Sequence, residues 1–444
     1  MAFDPHNKSN FPLMDYMKDK RALIADNSSN SRPVLRRLLA QLGMKNQNVD
    51  IAESFEEAEK KMRGMRPHFI FADYGLGDKT HTGLDLLASL REQFPGHLES
   101  AFFISSEKRS NLITAQIIEQ DVDAFLPKPY SYSSLEDLVV KVLREKLKPS
   151  EYVQCIDTGR IHLQGKEFKE ALQNFQRARG LDPRPALACY FLAVTLNQLK
   201  KVDLARATFE ESVKLDPSSY RTLTSYFDFL MEQKNFPRAY EIGSQIWKSF
   251  PILPARFPQY LRVTIQTGHF GDVLGFYETL SVDDSLDENN ANFLAVGLVT
   301  AGKYFIKQGD QAQGATLLKK SLIIGKGKLK IFKEVVSVFL ENGLEQDALE
   351  LLSNAPKEVK ESREISILEF EHVNRTSAAD KVVQMGMNLV SQGIHEVRIY
   401  EILIRRSIEM GRRADAIEEL VHRATQQLPD HRAFFEGLMK AGTP

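Results

Sequence analysis

The sequence predicts a chain of two architectures, a doubly wound α/β domain followed by an all-α array of helical hairpins. Three observations predict this. Short apolar runs alternate with amphipathic stretches from about residue 20 to residue 147. The alternation stops after Lys148-Pro149-Ser150. Beyond it, helical periodicity runs to the C-terminus and repeats every 34 residues.

At 444 residues the chain is long for a single core, so several domains are expected. We divide it into a flexible tail at 1–19, an α/β domain at 20–148 and the helical array at 149–444. Hydrophobic residues make up 43% and charged residues 26%, as in an ordinary globular protein. No apolar run is long enough to span a membrane, and residues 1–20 hold no apolar signal core. Net charge is −1 overall, +1 over 20–148 and −1 over 149–444. Neither part is basic, which argues against nucleic acid as a partner. The two cysteines, Cys155 and Cys189, supply neither a disulfide framework nor a zinc site, and a reducing cytoplasm fits them.

The apolar runs of the first domain are ALIA at 22–25, VDIA at 49–52, HFIFA at 68–72, AFFIS at 101–105 and DAFLP at 123–127. Amphipathic stretches lie between them near 31–42, 55–64, 84–94, 107–120 and 134–147. Ser54 and Glu57 read as a capping box that opens the second of these. Strands and helices alternating at this spacing imply a parallel sheet covered on both faces. Ligands of such sheets sit at the carboxyl ends of the strands, where strand order reverses.

Polar residues gather at those ends. Asp26 and Asn27 follow the first strand, Asp73 ends the third, Ser105 ends the fourth, and Lys128-Pro129 follows the fifth. Each alone reads as a cap or turn residue. Together they supply the parts for phosphoryl transfer to a carboxylate. Asp73 would be the nucleophile, and a divalent cation would bridge the two anions. Asp26 and Asp73 offer hard oxygen ligands to Mg2+. Lys128 can pair with phosphoryl oxygens, and Ser105 can donate a hydrogen bond to one.

The segments LIADN, FIFADYGL, AFFISS and AFLPKPY, in this order and at this spacing, resemble a CheY-like response regulator receiver domain over roughly 20–147. The resemblance implies a (βα)5 flavodoxin-like fold. It puts the acidic pair on Asp26 and Asn27, the phosphoacceptor on Asp73, the hydroxyl switch on Ser105, the aromatic switch on Phe125 and the lysine on Lys128. It gives Gly75 a metal-coordinating backbone carbonyl and Lys128–Pro129 a cis peptide. It further implies a bacterial two-component protein, phosphorylated by a sensor histidine kinase or phosphotransfer protein, with Mg2+ as cofactor; a homodimer is compatible with it. Two departures stand out. Asn27 replaces an acid, which removes a charge from the metal site, and the loop at 76–83 is longer than usual, carrying Asp78 and His81. A degenerate receiver serving as a constitutive scaffold therefore stays open as the alternative.

In the array, Ala171, Ala205 and Ala239 are spaced by 34, as are Pro183, Pro217 and Pro251, and Phe175 and Phe209. Gly159, Phe168, Ala171, Phe175, Ala178 and Pro183 resemble the tetratricopeptide repeat signature. Repeats are placed at about 152–185, 186–219, 220–253 and 254–287. After a slip of about seven residues, weaker copies centre on Gly314, Ala348, Val382 and Ala416, and a C-terminal cap helix follows, giving about eight repeats. Cys155 and Cys189 are read as small buried residues without a bond, and Trp247 as core. A solenoid of this kind suits an extended peptide or helix of a partner protein. By register, Arg160, Asn197, Gln198, Arg221 and Asp228 face its groove. Arg160 stands four residues after Ile156 where a chaperone-type carboxylate clamp needs Lys-x3-Asn, so chaperone tails are not expected. The sequence holds no output enzyme motif: self phosphorylation and dephosphorylation are the only catalysis expected. The remodelled receiver face of fourth helix, fifth strand and fifth helix is expected to border the repeats.

Overall fold

The computed structural model describes residues 12–76, 81–94, 96, 98–107, 117, 122–281 and 286–442. These fall into two compact units, Met1–Leu253 and Pro254–Pro444.

In the first unit, β1 (Ala22–Ala25), β2 (Val49–Ala52), β3 (Phe69–Asp73), β4 (Ala101–Ser106) and β5 (Ala124–Pro127) form one parallel sheet, ordered β2-β1-β3-β4-β5. The order reverses between β1 and β3, so a crevice opens beyond their carboxyl ends. Register then fixes the site: Ala25 pairs with Ala72, Asp73 with Ser105, and Ser106 with Pro127. The strands are apolar throughout because both faces are covered. Ala22, Ile24, Phe69, Phe71 and Phe103 pack against α1 (Leu13–Met17), α2 (Ser31–Gln41) and α5 (Tyr132–Leu147). Leu23, Ile70, Ala72, Phe102 and Ile104 pack against α3 (Phe55–Met65) and α4 (Gly83–Gln93). The helix expected near 107–120 lies largely outside the described residues.

The structure corrects two local expectations. The flexible tail does not reach residue 19: Leu13 and Met17, one helical turn apart, are buried in the core. Gly43, at φ +103°, comes so close beneath α1 that a Cβ would stand 2.5 Å from the Met14 carbonyl oxygen. A single apolar turn is too short to register as periodicity. At α3, the Ser54 hydroxyl accepts from Glu57 N–H as expected, but the Glu57 carboxylate accepts from Glu53 N–H instead of closing the box on Ser54.

Three hairpins complete this unit: α6 (Glu151–Gln164) with α7 (Phe168–Leu181), α8 (Ala186–Gln198) with α9 (Val202–Leu215), and α10 (Tyr220–Glu232) with α11 (Phe236–Ser249). Ala171, Ala205 and Ala239 each occupy the fourth position of a second helix and are fully buried. At Gly159 a Cβ would stand 2.5 Å from the Phe175 ring, so the hairpin closes on a glycine. Phe175 stacks on Phe191, and Phe209 on Tyr226, at 5.2 and 5.3 Å between ring centroids. Both cysteines are buried free thiols, with burial pushing Cys189 up to about 11. Trp247 is half-buried against Tyr240.

In the second unit, α12 (Phe257–Gln266) pairs with α13 (Asp272–Leu280), and α14 (Glu288–Lys307) with α15 (Gln311–Ile324). Next come α16 (Leu329–Glu341) with α17 (Glu345–Asn354), the short α18 (Lys357–Lys360), and α19 (Arg363–Thr376) with α20 (Ala379–Ser391). The last pair is α21 (Val397–Glu409) with α22 (Ala414–Gln427), followed by α23 (Arg432–Gly442). The slip in repeat phase has a plain cause. α14 has 20 residues where α8 and α10 have 13, so two extra turns displace every later copy. Gly314, Ala348 and Val382 are buried at the fourth position of their helices. In the last pair that position is Ile417, not Ala416, because α22 starts one residue later than the 34-residue spacing requires.

Candidate functional site

The site forms where the strand ends converge. Lys128 Nζ stands 2.8 Å from Asp26 Oδ2 and 2.7 Å from Asp73 Oδ1, with the three side chains only 7%, 2% and 14% exposed. The Lys128–Pro129 peptide is cis. Ser105 Oγ lies 3.5 Å from Asp73 Oδ1 and 3.4 Å from the Ala72 carbonyl oxygen. Gly75 N–H donates to Asp73 Oδ2 at 3.3 Å, and Ser28 N–H donates to Asp26 Oδ1 at 2.8 Å. Burial raises the Asp73 carboxyl above the ordinary range; the Lys128 ammonium opposes this, and the Asp26 charge adds to it. Burial also works against the Lys128 charge, but its hydrogen bonds to Asp26 and Asp73 prevail and hold it above the usual lysine value.

The backbone around Asp73 is fixed by close approach. Tyr74 N–H donates to Ser105 O at 2.7 Å, and Gly83 N–H donates to Tyr74 O at 2.9 Å. A Cβ on Gly83 would stand 2.4 Å from Asp73 O, so α4 starts directly against the candidate acceptor. Thr82 and Asp85 cap this helix reciprocally.

The expected residues Asp26, Asp73, Gly75, Ser105 and Lys128 are thus brought together. Phe125 is half-buried and packs with the α3–α4 face of the core. Asn27 is exposed. His81 stacks on Phe55 with 4.3 Å between rings, and Asp78 lies outside the described residues. Sequence reasoning missed Tyr130. Its hydroxyl donates to Ser105 Oγ at 3.2 Å, and burial pushes it up to about 12. Its place directly after Lys128-Pro129 was the available signal. Pro129 and Tyr130, with Ser31, Val34 and Lys128, line a cleft of about 350 Å³ beside the site.

The donor set fits Mg2+ better than a transition metal. Two carboxylates meet at one ammonium, and Mg2+ is held by one or two carboxylates while keeping several waters. No cluster of three or more His, Cys, Asp or Glu side chains suited to a metal occurs among the described residues.

In the repeats, Arg160 stands over the Phe191 ring at 5.4 Å and Arg221 over the Tyr190 ring at 5.9 Å. Both line one small cavity of about 120 Å³ with Tyr152, Ile156 and Leu187, and Leu98 of the first domain lines it as well. Asn197 and Asp228 are half-buried and Gln198 is exposed; none of the three lines this cavity. Gln164 Nε2 donates to Arg91 O at 2.6 Å. These contacts set the last turn of α4 and Leu98 beside the first repeat, while the fourth helix of the expected docking face lies largely outside the described residues. Arg91 lies in the last turn of α4 and Leu98 between α4 and β4, at the opposite ends of the strands from Asp73. The cause is the chain path: α5 runs antiparallel to the strands and delivers the repeats to that side.

Residues 22–140 match the family model of the response regulator receiver domain, and residues 156–220 match that of the tetratricopeptide repeat. The chain therefore joins a receiver domain to tetratricopeptide repeats. Similar solved structures include that of Naa15/Naa10 bound to HypK-THB, at 17% identity and a TM-score of 0.48. That match covers 63% of this chain, which spans 43% of the length of the other. A tetratricopeptide repeat protein from Parabacteroides merdae matches at 10% identity and a TM-score of 0.29, covering 57% of this chain and 97% of its own. PilW, a type IV pilus biogenesis factor, matches at 16% and 0.24, covering 58% and 100%. No helix among the described residues is long and apolar enough to cross a membrane.

Proposed function

We propose that this chain is a two-component response regulator that accepts a phosphoryl group on Asp73, and that its repeats bind a partner protein in a way that depends on that modification. The observation that carries the reading is the Lys128 ammonium held between the Asp26 and Asp73 carboxylates, with the Ser105 hydroxyl beside it. An Asp73 carboxylate oxygen forms a bond to phosphorus as the P–N bond of a phosphohistidine, or the P–O bond of an acyl phosphate, breaks. Water later cleaves the aspartyl phosphate to carboxylate and inorganic phosphate. Lys128 and Ser105 stand where they would hold the phosphoryl oxygens. Mg2+ on Asp26, Asp73 and the Gly75 backbone would supply neutralising charge. Catalysis of any further reaction is not part of this reading.

The constitutive-scaffold reading draws on Asn27, which gives the site one carboxylate fewer than its family. Acetyl phosphate with Mg2+ separates the two. Intact-mass measurement should show one acid-stable, base-labile phosphoryl adduct on the native chain and none on Asp73→Asn. No adduct on the native chain, with Mg2+ saturating, would rule out the switch. If adduct forms, capture of cell proteins by the native chain should differ between beryllofluoride-treated and untreated samples.

A further inference from the structure

We infer that Tyr130 is a positioning residue for phosphoryl uptake, its hydroxyl holding that of Ser105 so that the Ser105 proton faces Asp73. The inference rests on the reading of Asp73 as the acceptor. Tyr130 Oη donates to Ser105 Oγ at 3.2 Å, and Ser105 is only 2% exposed. Burial pushes the phenol up to about 12, so it keeps its proton at neutral pH. Its ring packs against the core face of α2 and α5, where Leu35, Leu39, Leu135 and Val139 lie. That packing fixes the direction from which the hydroxyl reaches the end of β4.

A serine hydroxyl has one proton and two lone pairs. Tyr130 occupies one lone pair, so the Ser105 proton turns away from it. The acceptors on that side are Asp73 Oδ1 at 3.5 Å and the Ala72 carbonyl oxygen at 3.4 Å, from the last two residues of β3. An ionised acceptor makes the stronger bond, which favours Asp73 and, after transfer, its phosphoryl oxygens. In uptake from acetyl phosphate, an Asp73 oxygen bonds to phosphorus while the P–O bond to the acetyl group breaks, and that electron pair leaves with acetate. No proton moves at Ser105 or Tyr130. The contribution of Tyr130 is direction: a hydroxyl already aimed at a transferring oxygen needs no reorganisation in the transition state.

Time courses of phosphoryl uptake on the full chain, with acetyl phosphate, saturating Mg2+ and intact-mass readout, test this. Tyr130→Phe removes one oxygen, leaves the ring, and should slow uptake about fivefold, the worth of one hydrogen bond. Tyr130→Met also lacks a hydroxyl and serves if Tyr130→Phe does not fold. Ser105→Ala should slow uptake more. On that background Tyr130→Phe should cost nothing further, because the hydroxyl it acts through is gone. Ser105→Thr keeps a hydroxyl and should keep the fivefold dependence on Tyr130. An equal loss in all three backgrounds would mark a structural role and overturn the inference. So would an unchanged rate in Tyr130→Phe with native circular dichroism, which leaves the acceptor reading standing. No adduct on the native chain brings down both.

Discussion

At the scale of single residues, Lys128 and Asp73 pull stability in opposite directions. Lys128 neutralises two carboxylates that are almost out of water. Removing it leaves both anions without their cation, and breaking a buried ion pair in this way costs about 3–5 kcal/mol. Lys128→Met should therefore lower the urea midpoint of the receiver sharply. Asp73 is the reverse case. Burial raises its carboxyl above the ordinary range, so folding favours the protonated form. That contribution is whole at acid pH and is lost as pH rises through the folded-state value. At neutral pH the ionised group weakens the fold, and Asp73→Asn should gain roughly 1 kcal/mol in urea titrations. The gain should vanish below about pH 4, where the carboxyl is protonated in both states. A third effect belongs to Asn27. Restoring an acid there adds a carboxylate directly after Asp26 in the chain, and Asn27→Asp should tighten Mg2+ about tenfold or more by calorimetry.

At the scale of elements, the hairpin turns carry a regular strain. Lys166, Lys200 and Lys234, spaced by 34, sit at φ +61°, +59° and +56° between the two helices of their repeats. A side chain in this region costs on the order of 1 kcal/mol, which glycine avoids. Lys200→Gly should raise the thermal midpoint of the full chain slightly, while Gly159→Ala, which drives a methyl into the Phe175 ring, should lower it by about 1–3 kcal/mol of stability. The regularity that places these turns is also what made the fold legible. Alanines and prolines at fixed spacing mark the hairpins because each repeat must present the same small residue to its neighbour. Strand ends were legible because polar residues interrupt otherwise apolar runs. The single turn at Leu13–Met17 was not, having no second turn to establish a period. Tyr130 was not, because its partner Ser105 lies 25 residues away and only the sheet register brings them together. Leu98 was not, because the other residues of its cavity come from helices more than fifty positions downstream.

At the scale of the whole molecule, the acceptor site and the first repeat meet the two ends of α4, and linkage makes any coupling between them reciprocal. Gly83 starts the helix against the Asp73 backbone, and Arg91 in its last turn accepts from Gln164 of the first repeat. If modification at Asp73 draws α4 away from Gln164, then loss of that hydrogen bond must favour the same shifted position. The unmodified chain then spends binding energy on breaking it before it can hold an aspartyl phosphate analogue. A single hydrogen bond contributes about 1 kcal/mol, which is roughly fivefold in affinity. Calorimetric titration of beryllofluoride with Mg2+ should thus show Gln164→Ala binding about fivefold tighter than the native chain. Asp73→Asn, which lacks the acceptor carboxylate, should bind in neither background. The substitution at Gln164 lies across the domain from Asp73 and changes no group of the site. Equal affinities in the native and Gln164→Ala chains would mean that the two ends move independently, and that the repeats respond to phosphorylation by some other route or not at all.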